Sequence, residues 1–111
     1  MKRALLALTL LPSIAFAQTF TPANISGTIT TGGTAQQLAA AFAGRKGCAI
    51  QNQSAGDLWI NDLGTAAATQ PSIKVPAGAQ YLCGAGGGGA SAGALSIFGA
   101  TTGQAFAGRE W

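Results

Sequence analysis

The stretch KGCAIQNQSAGDLWIN, Lys46 to Asn61, carries the reading that decides the fold. From Lys46 to Gln53 the residue types alternate, with Cys48, Ile50 and Asn52 on one side and Ala49, Gln51 and Gln53 on the other. Side chains two apart share a face only in extended backbone, so this segment predicts a strand with one buried face. Ser54-Ala55-Gly56-Asp57 follows as a turn, because glycine lacks Cβ sterics and short polar side chains bond nearby amides. Leu58 to Asn61 then sets Leu58 and Ile60 against Trp59 and Asn61, which predicts a second strand.

The same pattern extends in both directions. Upstream, Ser26 to Thr30 alternates Thr28 and Thr30 against Ile29, and Thr31-Gly32-Gly33 reads as a hairpin turn with Ala35 to Phe42 as the return strand. Downstream, Ile73 and Val75 alternate with Ser72 and Lys74, and Pro76-Ala77-Gly78 turns the chain. Ala79 to Cys83, Ala94 to Phe98 and Gln104 to Glu110 complete the series. Asp62 to Pro71 and the glycine-rich Gly84 to Gly93 read as loops. Seven to eight short strands at close intervals predict an all-β fold, a single small antiparallel β-sandwich or small barrel. Exposed strand edges in such a fold call for cover, which points to a partner or a homo-oligomer.

The first 17 residues have a separate role. Met1-Lys2-Arg3 is positive, Ala4 to Ile14 is apolar, and Ala15-Phe16-Ala17 has the small-x-small pattern of a cleavage site. This layout predicts a secretory signal peptide over 1–17 and a domain over 18–111, secreted or periplasmic. The apolar run is shorter than the roughly 20 residues a membrane span needs, so no membrane span is expected.

The whole chain carries 6 basic and 3 acidic residues, net +3. Beyond residue 17 the balance is Arg45, Lys46, Lys74 and Arg109 against Asp57, Asp62 and Glu110, and 4 − 3 leaves +1. Phosphate backbones require clustered Lys and Arg, so nucleic acid is not an expected partner. The adjacent pair Arg45-Lys46 reads as a solvated strand edge. An oxidising destination favours a Cys48–Cys83 disulfide, with free thiols or an intermolecular bridge as the alternatives.

Catalytic chemistry finds few groups to use. The chain has no histidine, the most frequent general acid or base, and only three carboxylates. Asp57 and Asp62 flank one strand at loop mouths with nothing apolar to raise a pKa, a weak case for glycoside hydrolysis. With Asn61 they form an equally weak calcium candidate. The glycine-rich loop lacks the Gly-Lys-Ser/Thr of a phosphate loop. No enzyme activity, metal or cofactor is expected.

Binding groups are better represented. Trp59 either packs in a second layer or presents a flat ring to a ligand, and Tyr81 joins it in a possible platform for a host surface glycan. Trp111, after Arg109-Glu110, reads as a plug at the sandwich end or an anchor into a neighbour, making Arg109 and Trp111 candidate interface residues. Asn24-Ile25-Ser26 and Asn52-Gln53-Ser54 match the N-glycosylation pattern.

Four stretches taken in order, SGTITTGGTAQQLAAA, CAIQNQSAGDLWIND, SIKVPAGAQY and ALSIFGATTGQAFAGREW, resemble small β-sandwich structural proteins of tailed bacteriophages and prophages. The resemblance spans nearly the whole chain beyond residue 17. It implies an accessory virion structural protein on capsid or tail that works through protein partners and has no catalytic residues. A secreted carbohydrate-binding or adhesin-like module is the alternative expectation.

Overall fold

The computed structural model describes residues 21–84 and 89–111. The expected signal peptide, residues 1–17, lies outside the described residues. Nine strands are present and no helix, among the described residues. No helix there is long and apolar enough to cross a membrane. The strands are β1 Ala23–Asn24, β2 Gly27–Thr28, β3 Gln36–Ala39, β4 Cys48–Asn52 and β5 Leu58–Asn61, then β6 Ile73–Val75, β7 Gln80–Cys83, β8 Leu95–Gly99 and β9 Ala105–Glu110. All eight segments expected from the alternation contain a strand. The extra one is β1, too short to show a period.

The strands form two antiparallel sheets packed as a β-sandwich. Sheet A runs β1-β9-β4-β7, with β2 also on β9, and sheet B runs β3-β8-β5-β6. In β4 and β8 the buried side chains alternate with half-buried ones as the sequence pattern requires, and β5 does so as far as Ile60, with Asn61 buried as well. Ile29, Leu38, Ile50, Leu58, Ile60, Val75, Leu95, Ile97 and Phe106 fill the space between the sheets. Burying an aliphatic side chain of this size contributes about 1.5–3 kcal/mol each, the main stabilising term of so small a domain.

The expected hairpin around Thr31-Gly32-Gly33 is not formed. β2 belongs to sheet A and β3 to sheet B, so the chain arches from one sheet to the other. Ile29 and Leu38, on the two sides of the arch, both enter the core between the sheets. The Gln36 side chain takes the bonds the ladder would have made, accepting from Thr30 N at 2.8 Å and donating to Thr28 O at 2.9 Å. Gly33 does use the left-handed region, at φ 80°. Gly32 has another reason to be glycine: a Cβ there would fall 2.6 Å from Ala100 O and Thr102 N.

Polar side chains close both ends. At one end Asn52 is fully buried and donates to Gly56 O at 2.7 Å and Val75 O at 2.8 Å. Its oxygen accepts from Ser54 N at 2.9 Å and Ser54 Oγ at 2.7 Å. Gln104 joins the same end through Ser54 Oγ and Asp57 O. Asn52 is therefore a structural hub closed to glycosylation, unlike the exposed Asn24.

At the other end stands Arg45. The sequence reading made it a solvated edge residue, and the structure buries its side chain completely. The guanidinium donates to Glu110 Oε2 at 2.9 Å, Ser91 O at 2.7 Å, Gly93 O at 2.8 Å and Ala40 O at 2.7 Å. One buried fork thus ties three chain segments together, which a planar multi-donor group does better than an ammonium. Among the described residues no buried side-chain nitrogen or oxygen lacks a partner.

Candidate binding face

Cys48 and Cys83 sit directly opposite each other on β4 and β7 and form a disulfide, Cα to Cα 4.8 Å. The bridge pins the edge strand β7 to the middle of sheet A. It accords with an oxidising compartment.

Trp59 and Tyr81 do not come together. Trp59 is half-buried on the outer face of sheet B, where its register neighbours are Phe98 and Lys74. Lys74 Nζ also reaches Asp57 at 3.5 Å in an exposed ion pair. Tyr81 belongs to sheet A and faces inward, packed against the core within reach of the charges of Asp62 and Arg45. Burial pushes its hydroxyl pKa up, the Asp62 charge adds to the rise, and Arg45 opposes it. The two aromatics lie on different sheets and face different ways, so they make no common platform.

The weak calcium grouping is likewise dispersed. Asn61 is buried, and its amide serves the following loop through Leu63 N and Thr65 O. Among the described residues no three His, Cys, Asp or Glu side chains gather as a metal site needs.

Arg109 and Trp111 do come together, on the outer face of sheet A. In β9 Phe106, Gly108 and Glu110 lie on the inward side of the strand, so Ala105, Ala107 and Arg109 turn out, with Trp111 next in line. Trp111 extends the ladder by exchanging backbone bonds with Gly47, 3.1 Å in both directions. Its indole lies on Gly47 so closely that a Cβ there would be 2.7 Å from the ring. The indole thus rests on Gly47 and forms one wall of the outer sheet face.

The registers assemble the rest. Arg109 pairs with Asn24 on one side and Ala49 on the other, and Gln51 pairs with Ala107 and Gln80. Small side chains at Ala49 and Ala107 leave a hollow between the larger ones. The result is an open concavity of about 660 Å³ bordered by Trp111, Arg109, Asn24, Gln51 and Gln80. Along β9 it runs from Ala107 to Trp111, roughly 13 Å at strand rise. Arg109 is exposed and makes no ion pair among the described residues.

Gln51 and Gln80 were not among the binding residues expected from sequence. The alternation did place Gln51 on the outward face, but only the register of β4 with β7 and β9 brings it beside Gln80 and near Arg109. Comparison of the chain with protein-family models, curated proteins and solved structures finds no match.

Proposed function

We propose that this chain is a non-enzymatic surface-binding protein of the accessory virion type, acting through the outer face of sheet A. The observation that carries the reading is the hollow between Trp111, Arg109, Gln51 and Gln80, on a face where, among the described residues, no strand is layered over the alanine floor. The ordered resemblance to phage and prophage β-sandwich proteins supports the virion assignment. A surface this poor in charge favours burial in an assembly, since solubility alone calls for more charged groups. The half-exposed Ile73 and Leu82 on the edge strands β6 and β7 argue in the same direction.

The test is mass spectrometry, without reduction, on purified phage particles and on the culture supernatant of the same cells. The disulfide-bonded chain is expected in the particles. A chain found free in the supernatant and missing from particles overturns the virion reading and leaves a secreted binding module.

A further inference from the structure

We infer that the hollow on sheet A binds an oligosaccharide bearing a carboxylate, with Trp111 as stacking wall, Arg109 as carboxylate partner, and Gln51 and Gln80 as hydroxyl partners. The inference rests on the outer face of sheet A being the contact surface, and it does not require the protein to be part of a particle.

Several features narrow the ligand class. The floor belongs to β4 and β9, which have strand neighbours on both sides, so their backbone ladders are already occupied. A peptide joining by strand addition needs an open edge, and the hollow has none at its floor. A ligand seated there meets side chains only. A single cation does not suit a polyphosphate, which needs many. A wholly apolar ligand would strand the amides of Asn24, Gln51 and Gln80 without partners.

What remains is a flat ligand with apolar faces and many hydroxyls. The indole of Trp111 is held against Gly47 and offers apolar surface with little entropy to lose. Each glutamine amide both donates and accepts, as hydroxyl recognition requires. Ala49 and Ala107 keep the floor low, so a sugar ring can approach the sheet.

Arg109 sets the charge. Its strand neighbour Glu110 turns inward and is occupied by Arg45. The carboxylate of Asp57 reaches Lys74 on sheet B. Among the described residues Arg109 makes no ion pair, and its fork matches a carboxylate in bidentate geometry. A uronic or sialic acid unit supplies that group on a saccharide.

The test is a two-dimensional ¹H–¹⁵N NMR titration of the full-length oxidised chain. The probes are trigalacturonate, a hyaluronan tetrasaccharide and sialyllactose, each run against its methyl ester. The expected result is that at least one acid shifts the side-chain amide signals of Gln51 and Gln80 and the indole signal of Trp111, leaving Trp59 in place. That acid should bind at least tenfold more tightly than its ester, and Arg109→Gln should abolish the preference. Arg109 is exposed, so the variant's spectrum should otherwise be unchanged. The inference is overturned if no acid shifts those signals, if the shifts map to Trp59 and Phe98, or if Arg109→Gln keeps the preference. A chain absent from particles that passes this titration loses only the virion reading.

Discussion

The guanidinium of Arg45 and the carboxylate of Glu110, 65 positions apart in sequence, meet at 2.9 Å inside one end of the sandwich. Three backbone carbonyls take further guanidinium donors, so the ion pair is the centre of a buried network. Removing one member of such a pair leaves an uncompensated buried charge, at a cost of about 3–5 kcal/mol. Arg45→Ala should lower the urea midpoint accordingly, and more than Lys74→Ala, whose exposed pair contributes about 0–1 kcal/mol. Equal effects of the two substitutions would contradict this assignment.

The Cys48–Cys83 bridge closes a loop with a sequence separation of 35. In the chain-entropy account such a loop is worth about 3–4 kcal/mol. Chemical denaturation of the oxidised chain and of Cys48→Ala/Cys83→Ala should differ by that amount. β7 should loosen first, because the bridge is its covalent tie to β4. Hydrogen exchange on Gln80 to Cys83 will show whether that edge opens before the rest of sheet A.

Tyr81 links stability to alkaline pH. Burial first, and the Asp62 charge second, lift its pKa above the ordinary 10.0. Between the unfolded and folded values the folded chain holds the proton more firmly, so stability falls as pH rises through that window. The contribution is fully present below pH 10 and is lost above it. Phenolate absorbance should titrate above 10 in the folded chain, and Asp62→Asn should bring the midpoint down. A midpoint unmoved by Asp62→Asn would remove the carboxylate from the account.

Gly47 is the seat of the Trp111 ring. A methyl group there would overlap the indole at 2.7 Å, so Gly47→Ala must displace the ring or the strand end. The expected cost is about 1–3 kcal/mol, typical of overpacking. Trp111 should become more exposed, seen as a red shift in the fluorescence of a Trp59→Phe background. An unchanged spectrum in that background would mean that the ring does not rest on Gly47.

The alternation in Lys46 to Asn61 was enough to predict β4, β5 and their buried faces, though not the burial of Asn61. Period-two patterning depends only on local backbone geometry and on which side chains avoid water. The same logic located the other strands except β1 and the outward position of Gln51, while the cysteine count and an oxidising destination made Cys48–Cys83 the leading pairing. It could not say which strands pair. Ile29 and Leu38 fit a hairpin or an arch equally well in sequence, and the arch is selected by core packing and by the bonds of Gln36 to Thr28 and Thr30. Arg45 looked like a surface charge because its partner is 65 residues away and its carbonyl acceptors have no sequence signature. Trp59 and Tyr81 looked like a pair because the eye joins aromatics, whereas sheet membership separates them. The sequence by itself determined the all-β class, the strand positions and the inward faces, since each follows from neighbours one or two residues away. Only the tertiary structure decided the arch, the buried ion pair and the hollow beside Trp111 and Arg109, since each depends on contacts between strands distant in the chain.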